Sequence, residues 1–172
     1  MPLIKNNAIV DDDPWVFVGD EDELPDGPVV VGLARWERDR ESLVGRNAPL
    51  AIKLETLEEP ARIADDLDKF EMIALEFPTY RNGRAYSYAR SLRQRYGYTG
   101  EVRAIGNVLR DQLFFMARCG FDAFDADPRV TLEIFREALG DFSEVYQPSA
   151  DARASVLAKR HGLSPIAARA AE

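Results

Sequence analysis

Short apolar runs alternate with stretches of helical periodicity along most of this chain. Five runs have the length of buried strands and recur about every 20–25 residues; they lie at residues 29–33, 50–54, 72–77, 102–105 and 121–124. The stretches between them place apolar residues three or four positions apart, as at Leu109, Leu113 and Met116. This alternation predicts an α/β fold of about five βα units with a mainly parallel sheet. The pattern is compatible with an open doubly wound sheet and with an incomplete TIM-like barrel.

The two ends of the chain break this pattern. Ile9-Val10 and Trp15–Val18 are β-prone, and the turn residues Asp11–Pro14 between them predict a short N-terminal hairpin. The last residues are rich in alanine and arginine, which predicts a partly disordered tail that ends in a short helix. The predicted organisation is one α/β domain over residues 1–148, made of a peripheral lead-in (1–27) and a core (28–148), followed by a C-terminal tail (149–172).

Composition excludes several classes of protein. No apolar run approaches a membrane span and the first residues do not form a signal peptide, so a cytoplasmic protein without membrane partners is expected. The net charge of −8 argues against general nucleic-acid binding. One cysteine and one histidine cannot form a disulfide framework or a His/Cys zinc site. No GxGxxG or P-loop motif is present, so the sequence identifies no NAD, nucleotide or other cofactor.

The charge is unevenly distributed along the chain. Between Tyr80 and Arg118 there are eight arginines, no lysine, two acids and five of the six tyrosines. Eight arginines against two acids give this segment +6, so the rest of the chain carries −14. Arginine presents a rigid charged fork that suits carboxylate, phosphate and sulfur oxyanions. The segment therefore predicts an anion site, and the alternative is that its arginines pair with acids from the rest of the chain.

Two polar loops are expected at the carboxyl edge of the sheet, where parallel α/β proteins bind ligands. They follow the third and fourth predicted strands, and each leads into a helix N-terminus, which favours an anion. The candidate ligand-binding residues are Tyr80, Arg81, Arg84 and Ser87 in the first loop and Asn107, Arg110 and Gln112 in the second. Ser87 and Asn107 also suit helix N-caps, and Asn82-Gly83 is a turn signal.

The candidate catalytic residues are Asp111, Tyr86 and Cys119. Neighbouring arginines would lower the pKa of Asp111, so this carboxylate is expected to orient an arginine rather than to transfer a proton. The adjacent Arg118 would lower the pKa of the Cys119 thiol. A helix C-terminus would disfavour its thiolate, and an unpaired cysteine is commonly an inert core residue.

Other charged residues near the later strands have structural explanations. Arg103 lies in the middle of a strand and, if buried, needs an acidic partner such as Glu101 or Asp122. Asp122, Asp125 and Asp127 alternate after the fifth strand and could hold Mg²⁺, but Pro128 makes helix initiation the simpler explanation. No metal site is predicted.

A dense block of residues carries a resemblance to a known family. It includes Phe77-Pro78, Tyr80–Arg84, Tyr86-Ser87, Val108–Leu113 and Arg118–Phe124. Loosely over residues 28–147 and densely over 72–125, the chain resembles a bacterial family of unknown function labelled "probable oxidoreductase involved in sulfite reduction". That label stems from genes beside those of assimilatory sulfate and sulfite reduction. The family usually has aspartate at position 82 and often at 107, where this chain has asparagine.

The resemblance implies a role in sulfur assimilation without supplying a reaction. Together with the arginines, it leads us to expect an accessory protein of sulfite or sulfate reduction that binds a small oxyanion or a phosphorylated ligand. One alternative is a regulatory or docking subunit for a sulfite-reduction enzyme. Another is an enzyme of that pathway with unknown chemistry, although no redox motif supports the oxidoreductase label. The sequence leaves the oligomeric state open.

Overall fold

A computed structural model describes residues 1–162 and shows an α/β fold built on one eight-stranded, mostly parallel sheet. The strands are β1 (Leu3–Lys5), β2 (Ala8–Val10), β3 (Val16–Phe17), β4 (Val29–Gly32), β5 (Leu50–Leu54), β6 (Met72–Phe77), β7 (Glu101–Gly106) and β8 (Ala123–Asp125). The helices are α1 (Leu33–Val44), α2 (Arg84–Gln94), α3 (Leu113–Cys119), α4 (Leu132–Leu139) and α5 (Val156–Arg160), with 3-10 helical segments at Pro60–Lys69 and Arg110–Gln112.

The strand order is β2-β1-β8-β7-β6-β5-β4-β3. From β3 to β8 each strand lies parallel to the next one along the chain, so the order does not reverse at a switch point. Right-handed crossovers then place the connecting helices on one face, and the sheet curls into a half-barrel. The incomplete-barrel alternative is therefore the one that the structure matches.

The connection between β2 and β3 explains why the sheet must curl. These strands form the two edges, seven strand spacings apart, which is about 34 Å in a flat sheet. The six residue steps from Val10 to Val16 span at most about 22 Å. Residues 11–15 therefore cross the concave side of the sheet, and we call this segment the strap.

The predicted hairpin between Ile9-Val10 and Trp15–Val18 is wrong. β2 pairs antiparallel with β1 across a turn at Asn6-Asn7, and both asparagines have positive φ, which asparagine tolerates better than most residues. β3 instead pairs in parallel with β4 at the far edge. Local turn residues could not reveal this, because Asp11–Pro14 belong to a crossing segment rather than to a turn.

The convex face carries the main core. Alternate strand residues such as Ile52, Ile73 and Leu75 are fully buried there and pack with helix residues such as Trp36 and Leu92. β4 to β8 lie where the five apolar runs occur, because strands buried on both faces are apolar almost throughout.

Two details of the C-terminal part differ from expectation. The last strand starts at Ala123, and α4 starts at Leu132 rather than at Pro128, because the Thr131 hydroxyl accepts the Ile134 N–H (3.2 Å). Part of the predicted tail is helical, since α5 lies within it. The remainder of that tail, residues 163–172, lies outside the described residues.

Candidate functional site

The β6–α2 and β7–α3 connections lie side by side at the carboxyl edge of the sheet. β6 and β7 pair along their full length, and the Asn107 N–H donates to the Phe77 carbonyl (2.7 Å). Gly106 has a φ of 87°, and a Cβ at this position would lie 2.6 Å from the Phe77 carbonyl oxygen. Only glycine fits this close approach of the two backbones. The two candidate loops therefore leave the sheet at one place.

The first loop presents two arginines without acidic partners. Arg81 Nε donates to the Tyr80 hydroxyl (2.9 Å), and its guanidinium lies 5.4 Å from the Tyr80 ring centroid. The backbone N–H of Arg84 donates to Asn82 Oδ1 (3.3 Å). Both arginine side chains are exposed, and neither guanidinium contacts a carboxylate within residues 1–162. We call residues 80–84 the arginine loop.

The expected N-caps Ser87 and Asn107 are wrong. α2 begins at Arg84 with Gly83 as its N-cap, so Ser87 lies inside the first turn. The segment after β7 begins at Arg110, and the Leu109 N–H donates to Gln112 Oε1 (2.9 Å). Within the described part of the chain, neither the Ser87 nor the Asn107 side chain makes a hydrogen bond, and both residues are exposed.

Arg110 does not join the arginine loop. Its two terminal nitrogens bind Asp141 just after α4, at 2.6 and 2.8 Å, and this interaction raises the pKa of Arg110. Arg110 is therefore already paired with a carboxylate, whereas Arg81 and Arg84 contact none within residues 1–162. Asp111 was expected to orient an arginine, but it makes no ion pair among residues 1–162 and is exposed.

The other candidates come together between α2 and α3; they are Tyr86, Asp111, Gln112 and Cys119. The Tyr86 ring packs edge-on against Phe77 at 5.2 Å. Burial raises the pKa of the Tyr86 phenol to about 12, with a smaller contribution from the negative charges of Cys119 and Asp111. Burial also raises the pKa of the Cys119 thiol, whose Sγ lies 4.0 Å from Ser149 Oγ. Phenol and thiol are therefore protonated near neutral pH, and their catalytic roles stay predictions.

Several arginines of the basic segment stabilise the fold, as the structural alternative predicts. Arg93 donates to the carbonyls of Tyr98, Gly100 and Gly120 at 2.7–2.9 Å and pairs with Asp122. Arg118 pairs with Asp151 (3.0 Å). These contacts bind α2 and α3 to neighbouring loops, so these guanidinium groups are already occupied.

The three alternating aspartates after α3 diverge. Asp122 pairs with Arg93, whereas the Asp127 carboxylate binds Arg129, which lowers the pKa of Asp127 to about 2. Asp125 is half-buried on β8, where it faces the concave side. The carboxylates therefore serve separate local interactions.

The concave face holds a charged row that sequence reasoning largely missed. The strand register aligns Lys53, Ala74, Arg103, Ala123 and Lys5 on neighbouring strands. The alanines leave room for the long cationic side chains between them. The signal was a charged residue inside an otherwise apolar strand, as at Lys53 and Arg103.

Arg103 is the most buried charged residue of this row, with a side chain only 4% exposed. Its Nε donates to Glu101 (2.7 Å), and its terminal nitrogens donate to Asp13 in the strap at 2.6 and 3.2 Å. The expected partner Glu101 is confirmed and Asp122 is wrong. The Asp13 contact was not predicted, because it joins residues that are 90 positions apart.

The protein is an α/β half-barrel with an exposed cationic loop at the carboxyl edge of its sheet, which is where parallel sheets bind ligands. A family model of bacterial proteins of unknown function, DUF934, matches residues 51–157, and the chain belongs to this family. The match includes the arginine loop and leaves the strap outside. Family membership, predicted from the dense block, is confirmed, whereas the link to sulfite reduction stays a prediction.

A search among curated proteins finds no match to this chain. Within residues 1–162, no helix has both the length and the apolar character needed to cross a membrane.

Proposed function

We propose that this protein binds a small oxyanion at the arginine loop and acts as an accessory protein of assimilatory sulfite or sulfate reduction. The observation that carries the proposal is the pair of guanidinium groups, Arg81 and Arg84, that contact no carboxylate within residues 1–162. They lie at the carboxyl edge of a parallel sheet, which is where such folds bind ligands. The pathway rests on the family resemblance.

The local chemistry favours a tetrahedral or pyramidal oxyanion. Each guanidinium offers a planar set of N–H donors that matches two oxygens of sulfate, sulfite or phosphate. Arg84 is the first residue of α2, which has no acid in its first turn and no side-chain cap at Gly83. The Arg84 N–H already donates to Asn82, but the dipole of this helix end adds attraction for negative charge. Because the loop is exposed, the affinity should fall as salt increases.

Isothermal titration with sulfite, sulfate and adenylyl sulfate tests the proposal. We expect binding heat for at least one of them with the wild-type chain, and binding at least tenfold weaker with Arg81→Ala plus Arg84→Ala. The matched control is Arg95→Ala at the other end of α2, because Arg95 is exposed and stacks on Tyr96 at 5.3 Å. Heat that is absent for all three ligands, or unchanged in the double variant, would contradict the proposal.

A docking role is the second candidate, and the exposed side chains beside the loop support it. Tyr80 is 57% exposed and Leu57 is 77% exposed. The loop that carries Leu57 adjoins the arginine loop, because Thr56 contacts Asn82 (3.4 Å). Tyrosine and arginine are enriched at binding hot spots. If docking is the role, Leu57→Ala plus Tyr80→Ala should abolish co-purification with a sulfite-reduction enzyme, and anion titration should give no heat.

A further inference from the structure

The strap has few attachments to the rest of the protein. Within residues 1–162, the backbone of residues 11–15 makes no hydrogen bond to another backbone group. Asp11 to Pro14 are exposed, and the strap is held through two side chains, Asp13 and Trp15. A segment with few backbone hydrogen bonds and few buried contacts opens at lower free energy than the strands beneath it.

Asp13 occupies the position that a ligand carboxylate would take on Arg103. Both terminal nitrogens of Arg103 point at the two Asp13 oxygens, in the paired arrangement typical of arginine with a carboxylate. If the strap opened, the two terminal nitrogens of the buried Arg103 guanidinium would lose their carboxylate partner, which is strongly unfavourable. An incoming carboxylate would remove this penalty, so the site selects for that group.

Trp15 covers the second part of the same site. Beneath it lies an apolar floor of small and medium side chains, which are Val30, Ala51, Met72, Ala74 and Ile105. Each is at most 8% exposed. The half-buried Trp15 indole packs directly on this floor. A planar apolar group of similar size would cover the same surface.

We propose that the concave face is a second binding site, for a carboxylate that carries an aromatic group, and that the strap occupies it in the absence of ligand. The ligand carboxylate replaces Asp13 on Arg103, and its ring replaces the Trp15 indole. Asp125 lies on the same face of the neighbouring strand β8, and its electrostatic interaction with Arg103 does not involve the strap. The site lies on a different part of the sheet from the arginine loop and does not depend on the function proposed for that loop.

Titration with 3-phenylpropionate, with the neutral alcohol 3-phenylpropanol as comparison, tests this inference on the full chain. We expect Asp13→Asn plus Trp15→Ala to bind the acid at least tenfold more tightly than the wild type, with no comparable gain for the alcohol. The matched control is Asp12→Asn, an exposed strap residue without an ion pair among residues 1–162, which should behave as wild type. Arg81→Ala plus Arg84→Ala should also leave the acid's binding unchanged.

Equal or absent acid binding by a folded double variant, judged by circular dichroism, would overturn the inference. So would an alcohol that binds as well as the acid. If the double variant does not fold, wild-type tryptophan emission decides the matter. Saturating acid should shift emission to the red as Trp15 leaves the floor, because Trp36 stays buried at 2% exposure. No red shift up to millimolar acid would overturn the proposal.

Discussion

Arg81 in the arginine loop, which follows β6, and Arg103 on the neighbouring strand β7 have opposite surroundings. Arg81 is exposed, and its guanidinium contacts the Tyr80 side chain and no carboxylate among the residues that the structure describes. The Arg103 side chain is 4% exposed and binds two carboxylates. The role of an arginine in this chain therefore follows from the position of the acids around it, and not from residue type alone.

The physical reason is the free energy of hydration. A buried guanidinium must recover the interactions it loses with water, so it is found with hydrogen-bonded carboxylates. An exposed one keeps its water and gains little from an ion pair. Arg103 is therefore held by carboxylates of the chain itself, whereas Arg81 and Arg84 contact no carboxylate within residues 1–162.

The largest predicted effect comes from removing the buried cation. Arg103→Met should lower the free energy of unfolding by about 3–5 kcal/mol, because it leaves a buried carboxylate, Glu101, with one partner fewer. Arg81→Met, the exposed counterpart, should change it by no more than about 0.5 kcal/mol. Urea unfolding of both variants measures the contrast. Equal losses would remove the distinction between the two regions.

The second largest loss of stability should come from a substitution where β6 and β7 meet, because this contact positions the arginine loop. Gly106→Ala should destabilise the protein by roughly 1–3 kcal/mol through its positive φ, with the contact to Phe77 in addition. Gly27→Ala is the control, because no atom lies within 4 Å of a Cβ there. A thermal unfolding midpoint for Gly106→Ala that matches the control would contradict this role of Gly106.

Alkaline pH should distinguish the half-buried Tyr86 from the exposed tyrosines. Its phenol pKa is raised to about 12 in the folded chain, whereas an unfolded tyrosine titrates near 10. The folded state then holds the proton more tightly, so this contribution to stability is full below about pH 10 and is lost as pH rises through 12. Between pH 9 and 12, the free energy of unfolding should depend less on pH in Tyr86→Phe than in the wild type. In Tyr146→Phe, whose tyrosine is 82% exposed, the pH dependence should match the wild type. Identical pH profiles for both variants would refute the prediction.

The smallest effect is expected at Arg110. Its ion pair with Asp141 is exposed, and exposed pairs add little to stability, so the urea unfolding midpoint of Arg110→Ala should stay close to that of the wild type. It should leave oxyanion heats unchanged, because both terminal nitrogens of this arginine already bind Asp141. A loss of anion binding in Arg110→Ala would show that the two loops act together after all.

The strands of the sheet core could be predicted from sequence, because their burial matches the local apolar pattern. β4 to β8 are apolar because helices cover one face and the strap or neighbouring side chains cover the other. Pairings over long separations stayed hidden, since β1 joins β8 and Asp13 joins Arg103 across most of the chain. The expected caps Ser87 and Asn107 failed because Gly83 and Leu109 start these segments.

The candidate site was predicted in part. The apolar runs at 72–77 and 102–105 located both loops at the carboxyl edge, because parallel strands end together. They could not show that Arg110 turns to Asp141, since the partner lies 31 positions away on another element. Side-chain direction in an exposed loop depends on such distant acids, which a periodic pattern does not encode.

The most direct test is an NMR titration that follows the Nε–H signals of individual arginines during addition of sulfite or sulfate. If Arg81 and Arg84 bind the anion, their signals should shift in a saturable way, while those of Arg103 and Arg110 stay unchanged. Shifts confined to Arg103 or Arg110, or no shift at any of the four, would contradict the claim that the unpaired arginines bind the anion.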